Sequence, residues 1–547
     1  MNVRKSYSDF INEISSEEIF EGLLAHGLFS DRLPPIFTGE NFFQYCRREL
    51  ILREKQYREE LKRDPEKKTP EDWWAIFPKK SRGYVHYETM RNINIPRSLG
   101  IPHPGAYFLL CRRIQEDWER LQQYFERKTK EQEYLVGRIF LRKKKNGGPL
   151  FEMNYKNWKT DGTQEDELLF YQTQDAGFKA AKFLVRADIS ACFPSIYTHS
   201  LGWALEEKGK KDAKSNARKH IWYNELDLHA RNTKLGETHG LLIGPHTSNL
   251  LAEIILTSVD AALYRKGWRY VRNIDDYRCY VANFEEARLF LTELGEELRK
   301  YGLALNHKKT VVSELPQATN TDWVRKINVF NDIYHKGALN YNEIRSYLDF
   351  AVELMRENDG DAAILKYLVK TLAKRQASPN AVKYYVRYIL HLTIIYPYLI
   401  SLLDDFVFTP FKVSAFEISR FSNLIYNESV SLKQYEAVCY AIYFAIKYEF
   451  KIDELDVVNA INSGDCLFLL LSFLYFKQNK ETEKTERLKR HACALIPMEV
   501  EDFWIFAYEA LTFQELRKAF NIRNTNDFVD EWIKMKKAKV TFLKDIK

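Results

Sequence analysis

The run Val271-Arg272-Asn273-Ile274-Asp275-Asp276-Tyr277-Arg278-Cys279-Tyr280-Val281 places two adjacent carboxylates between two strand-like segments. Tyr270-Val271 before the pair and Tyr277 to Val281 after it predict a β-hairpin with Asp275 and Asp276 at or near its tip. Two carboxylates on one turn repel each other unless a cation neutralises them, so the pair points to a hard divalent metal. An Asp pair in a turn is also ordinary turn chemistry. The metal reading therefore needs a third carboxylate and residues that handle phosphate.

The third carboxylate lies upstream. Lys182 to Ile189 reads as a strand, and Asp188 closes it before Ser190-Ala191-Cys192-Phe193-Pro194. A helix is expected from Pro194, a first-turn proline, through Leu205. Gly240 to Pro245 is a Gly-bracketed loop that opens a long apolar helix from Ser248 to Leu263. After the hairpin come a helix, Phe284 to Tyr301, and a strand-like stretch, Leu303 to Val312. The order β-α-α-β-β-α-β predicts a split, ferredoxin-like unit with one antiparallel sheet and helices on one face. In that sheet the Asp188 strand lies beside the hairpin, and three carboxylates converge on one edge. Two Mg²⁺ ions need such a set when one activates a hydroxyl and the other steadies a leaving pyrophosphate.

Outward from this unit the character changes. Residues 1 to about 80 read as charged helices, with Arg47 to Lys68 a solvated helix face. Asn94 to Pro104 is punctuated by Pro and Gly and reads as a loop. A helix follows from Tyr107 to Tyr124, and Arg142 to Gly148 reads as an exposed basic turn. Beyond about 320, helical periodicity recurs in short units: Ile344–Met355, Ala362–Ala373, Ala381–Ile395, Ser431–Tyr448, Cys466–Phe476, Phe503–Leu511 and Phe528–Met535. Many short helices predict a HEAT-like stack of antiparallel pairs rather than one bundle. The expected fold class is α+β followed by an all-α repeat domain, divided at 1–90, 91–318 and 319–547.

Composition sets the outer limits. The chain has 547 residues, 45% hydrophobic and 14% aromatic, which is ample for several cores. Lys and Arg number 82 against 75 Asp and Glu, a net charge of +7 that permits a nucleic-acid partner. Seven scattered cysteines with no C-x-x-C pair argue against a disulfide framework or zinc site and for a reducing cytoplasm. The charged, amphipathic first residues give no expectation of a secretion signal. The apolar runs Ile389–Leu403 and Leu467–Phe476 are too short to span a membrane. Histidines 199, 220, 239 and 246 lack ligand spacing. Thr198-His199-Ser200 has no acid partner in sequence and no nucleophile elbow, and no Walker-type loop is present.

Four ordered stretches carry a family resemblance: ADISACFPSIYTHSLGWAL (187–205), GLLIGPHTSNLLAEIIL (240–256), NIDDY (273–277) and GLALNHKKT (302–310). They resemble the successive palm motifs of reverse transcriptases, in particular the bacterial abortive-infection and defence-associated type. NIPRSLGIPHPGAYFLL (94–110) resembles the entry to the fingers of that family. The resemblance covers about two-fifths of the chain.

It implies a fingers-and-palm polymerase with catalytic Asp188, Asp275 and Asp276, and a metal set of Asp188, Ile189, Asp275 and Asp276 for Mg²⁺ or Mn²⁺. Phe193 matches the gate that selects deoxy sugars. Gly244, Pro245 and Ser248 match the loop and helix start beneath template and nucleotide, and Lys309 the lysine beside the leaving pyrophosphate. Two departures stand out. Asn273 occupies a position that is usually aromatic, and no fingers arginine can be placed, which leaves Lys182, Arg186 and Lys143 as candidates. The family further implies dNTP substrates, a single-stranded DNA product attached to a tyrosine, with Tyr45 nominated, untemplated synthesis, homo-oligomers, no membrane, and a role in anti-phage defence in the bacterial cytoplasm. RNA-templated synthesis with a partner non-coding RNA and a silent nucleic-acid-binding scaffold remain alternatives.

Overall fold

FLVRAD and DYRCYV bury Val185, Ala187, Tyr277, Cys279 and Val281 on one side and leave Arg186 and Arg278 exposed on the other, as two strands of a sheet do. Phe183–Asp188 and Asp276–Val281 pair antiparallel at the centre of a four-stranded sheet. The computed structural model describes residues 7–64, 73–91, 96–130, 140–141, 151–152, 170–172, 178–206, 210–216, 220–316, 322–333, 337–496, 500–521 and 526–545. Its strands, in chain order, are β1 Tyr84–Met90, β2 Pro96–Pro102, β3 Phe140–Leu141, β4 Phe151–Glu152, β5 Phe170–Gln172, β6 Phe178–Ala180, β7 Phe183–Asp188, β8 Tyr270–Asn273, β9 Asp276–Val281 and β10 Val311–Glu314.

The central sheet runs β10-β7-β9-β8, antiparallel throughout. This is the strand order of the split unit expected from the sequence. Val185, Ala187, Tyr277, Cys279 and Val281 point into the main core, where the helices His246–Arg265 and Phe284–Arg299 supply Ile255, Val259, Phe290 and Leu294. Leu184, Val271 and Tyr280 form a small second cluster on the opposite face. The last strand is shorter and later than expected, because Asn306 to Lys309 turns: the Asn306 side chain accepts from Lys308 N at 3.2 Å. Pairing with β7 begins only at Val311.

Three further expectations are corrected. Asn94–Pro104 is not all loop, since β2 pairs along its whole length with β1. Its prolines stand at the two ends of the strand, where a missing N–H is tolerated. The helix expected from Pro194 to Leu205 is two short ones, Cys192–Ser195 and Ser200–Leu205, parted where Tyr197 bridges to His239. The helix after His103 breaks at buried Asp117, which binds Arg113 and Arg120.

From Asp322 onward the described residues are almost entirely helical. Ser431–Tyr448 is the end of one helix, Ala415–Ser431, and the whole of the next, Tyr435–Tyr448. Half-buried Glu436 joins this region to the hairpin by accepting from Met90 N at 2.6 Å. The C-terminal residues return to the N-terminal helices: Thr38 N donates to Phe542 O at 2.9 Å and Lys544 N to Ile36 O at 2.7 Å. No helix among the described residues is long and apolar enough to cross a membrane.

Candidate active site

The register of the sheet sets the site. Asp188 at the end of β7 stands directly opposite Asp276 at the start of β9. Asn273 pairs with Asp276, so Ile274 and Asp275 form the two-residue turn of the hairpin. Ile189 N donates to Asp275 O at 3.1 Å, which fastens the turn to the β7 end. Ile189 itself is buried and bridges to Leu305. Asp188, 5% exposed, accepts from Asn306 Nδ2 at 3.1 Å and from Lys309 Nζ at 2.7 Å.

The electrostatics follow from crowding. Burial, then the neighbouring Asp275 and Asp188, push the Asp276 carboxyl up to about 6. Asp275 is also raised, by burial foremost, while its own backbone, Lys309 and Arg97 pull the other way. Hydrogen bonding to Asp188 raises Lys309. Groups that resist ionising together call for a cation, and all three offer hard oxygen donors suited to Mg²⁺ or Mn²⁺. As the side chains stand, no three His, Cys, Asp or Glu residues among the described ones close on a single ion position. The Lys309 ammonium neutralises Asp188 instead, and its side chain, 64% exposed, is free to withdraw.

Beneath the turn lies a buried clamp that sequence reasoning missed. Ile274 holds a φ of 57°, a costly conformation for a β-branched residue. Its carbonyl accepts from Arg272 Nη1 at 2.8 Å. Arg272 is fully buried and forks onto Asp260 at 2.6 and 2.9 Å and onto Glu253 at 3.1 Å, while Tyr270 OH donates to Asp260 at 2.7 Å. Glu253 and Asp260 are seven residues apart on His246–Arg265 and so share a face. Two acids at that spacing in an apolar helix, with an arginine in a strand of buried residues, were the available signal.

Arg97 was missed as well. It lies on β2, is half-buried, and stands close enough to Asp275 for the two charges to act on each other. Its Nε has no hydrogen-bond partner among the described residues. Burial, then Arg91 and Arg32, lowers its pKa, as expected of a cation held in readiness for an anion. β2 is held there because Gly100 N donates to Ile243 O at 2.9 Å. Gly244 beside it needs its φ of 129°, and a Cβ would meet Gly100 O at 3.2 Å. Of the three candidates for this role, Arg186 lines the cleft beside Asp188, paired in register with Arg278. Lys182 lies six residues away, about 20 Å along the strand. Lys143 is outside the described residues, as are Arg142 to Gly148 and most of Phe151 to Trp158.

The remaining candidates divide. Phe193, half-buried, follows Ala191 at φ 44°, and its carbonyl accepts from Leu241 N at 2.9 Å, which ties the strand end to the Gly240–Pro245 loop. Pro245 precedes the first turn of His246–Arg265, and Ser248 is buried within that turn. Tyr45 lies elsewhere. It is 5% exposed, and burial, with Glu49, Cys46 and Glu531 around it, raises its hydroxyl far above the ordinary range. His199 gains the acid partner that sequence denied it, Asp227 at 2.6 Å, but neighbouring Ser200 is fully buried, so no hydrolytic dyad reaches a substrate.

No curated protein matches the chain. Residues 156–341 match the family model described as reverse transcriptase (RNA-dependent DNA polymerase). Enzymes of that family use divalent metal ions and act on nucleotides and nucleic acid. The match spans all four strands of the central sheet, Asp188, the Asp275-Asp276 turn and Lys309. Residues 156–341 are a reverse transcriptase domain, and the activity the chain carries there is nucleotidyl transfer.

Proposed function

We propose that the chain is a DNA polymerase of reverse-transcriptase type that extends a hydroxyl with deoxynucleotides and serves in bacterial defence against phage. The observation that carries the polymerase reading is the register of Asp188 against Asp276, with Asp275 in the turn between strands. Divalent ions held by Asp188, Ile189, Asp275 and Asp276 would activate the attacking hydroxyl and neutralise charge on the α-phosphate and pyrophosphate. The residues do the rest. Arg97 and Lys309 grip the triphosphate, and Lys309 leaves Asp188 to do so. Phe193 walls off the sugar 2′ position, Gly244, Pro245 and Ser248 floor the nucleotide, and Arg272 fixes the turn that aims Asp275. The new bond joins the hydroxyl oxygen to the α-phosphorus, and pyrophosphate leaves.

The finer reading rests on the resemblance of the sequence motifs to the abortive-infection type. It comprises untemplated synthesis, priming on a tyrosine of the chain with Tyr45 nominated, homo-oligomers, a cytoplasmic setting and a HEAT-like arrangement of the helices from 319 to 547. The β1–β2 hairpin is assigned wholly to the polymerase unit. Purified chain supplied with Mg²⁺ and labelled dNTPs should form product that survives RNase treatment of the enzyme and stays attached to protein on a denaturing gel until nuclease is added. Loss of synthesis after RNase would favour copying of a partner RNA. Product released by detergent would remove the protein primer, and no incorporation at all would leave a nucleic-acid-binding scaffold.

A further inference from the structure

We infer that the helices Tyr341–Glu357 and Pro379–Ile395 present a docking face for single-stranded nucleic acid, remote in sequence from the carboxylates. Three tyrosines form a row across them. The Tyr384 ring centroid lies 5.0 Å from Tyr341 and 5.8 Å from Tyr388, with the rings tilted at 60° and 31°. The inner side of Pro379–Ile395 already fills the core with Ala381, Tyr385, Val386, Ile389 and Leu392. Tyr384 and Tyr388 pack against the edge of that core and stay partly exposed, and Tyr341 is 41% exposed. Aromatic area left open beside its own core is a platform awaiting something flat.

Charge says what that is. Lys383 and Arg387 are exposed four residues apart beside the tyrosine row, with His391 exposed at the next such interval, so the two cations stand about 6 Å apart along the axis. Lys383 and Arg387 form no ion pair among the described residues. Across the row, Arg345 and Arg356 act on Tyr384 and Tyr388, with Asp349 the shared acid, 3.8 Å from Arg345, and Glu353 exposed farther along the same helix. Partly exposed rings with Lys383 and Arg387 on one side, and with arginines interleaved with Asp349 on the other, fit bases that stack and a backbone of phosphates, without any demand on base sequence. An acidic peptide would satisfy the cations but leave the rings unused.

The inference rests on the polymerase reading only for the source of the strand. Binding itself needs no synthesis. The test is fluorescence anisotropy of a labelled oligothymidylate with the full chain in metal-free buffer across a salt series. Tyr384→Ala with Tyr388→Ala should weaken binding at least about tenfold, whereas Tyr384→Phe with Tyr388→Phe should bind as the natural chain does. Lys383→Gln with Arg387→Gln should lower the slope of log affinity against log salt by about 1.4, for two phosphate contacts. Asp275→Ala with Asp276→Ala should bind at least as tightly while losing synthesis, which separates this result from the fate of the polymerase reading. Alanine and glutamine variants that bind as the natural chain does, with the same salt slope, would overturn the inference. A change of oligomeric mass in those variants without a change of affinity would overturn it too, giving the face to a second copy of the chain.

Discussion

Lys309 Nζ stands 2.7 Å from Asp188 Oδ2. The lysine therefore competes for the carboxylate that divalent ions would use. Lys309→Met should lower the Mg²⁺ concentration that half-saturates thermal stabilisation by a few-fold, because a competing cation is gone. The same variant should raise the KM for dNTP, because the triphosphate has lost a contact. Since Lys309 is mostly exposed, the metal-free fold should lose no more than about 1 kcal/mol. A Mg²⁺ titration of the melting temperature, beside steady-state kinetics, checks both directions.

Asp276 sets a pH dependence. Its folded carboxyl holds a proton up to about 6, against an ordinary value of 3.8. Between those values the folded chain binds more protons than the unfolded one, so this contribution is complete below 3.8 and is lost as pH rises to about 6. Asp276→Asn should thus be no more stable than the natural chain at the acid end and about 1 kcal/mol more stable at neutral pH, after discounting for solvent around the exposed side chain. Mg²⁺ should reverse the order at neutral pH. Thermal melts of both proteins with and without the ion provide the comparison.

Arg272 is predicted to matter through the hairpin turn. Arg272→Met leaves Glu253 and Asp260 buried without their cation, which should cost about 3–5 kcal/mol. It also releases the Ile274 carbonyl, so the turn relaxes. Arg272→Lys keeps a charge but not the fork, and should retain more stability than activity. Denaturant unfolding and incorporation kinetics on the two variants distinguish the contributions. Equal stability of Arg272→Met and the natural chain would count against the clamp.

Arg97 should act on substrate and not on stability. Arg97→Ala should raise the KM for dNTP about tenfold, the loss of one charge-assisted contact, with an unchanged melting temperature. Undiminished dNTP affinity would return the role to Arg186.

These residues also mark how far sequence could see. The hairpin, the Asp188 strand and the helix after Pro245 were legible because two-residue and helical periods are local properties of the chain. Asp188 and Asp276 could be set on neighbouring strands because the element order admits few sheets. Arg97 was hidden because Pro96 and Pro102 made its strand look like a loop, and only pairing with β1 reveals why prolines at both ends are harmless. The Ala415–Ser431 helix was not among the expected units, and its neighbour was started at Ser431 rather than Tyr435 because Leu432 to Gln434 carry no Gly or Pro to mark the turn. Arg272 with its two acids left a signal in the i, i+7 acids of the preceding apolar helix, but the pairing itself, like that of His199 with Asp227, depends on contacts between elements that no single-element period encodes.

The central claim is that Asp188, Asp275 and Asp276 together perform nucleotidyl transfer. The direct measurement is incorporation of labelled dNTP by purified chain with Mg²⁺, comparing the natural protein with Asp275→Ala plus Asp276→Ala at matched folded concentration. The double variant should melt at the same temperature or higher and incorporate nothing above background. Undiminished incorporation by a folded double variant would contradict it.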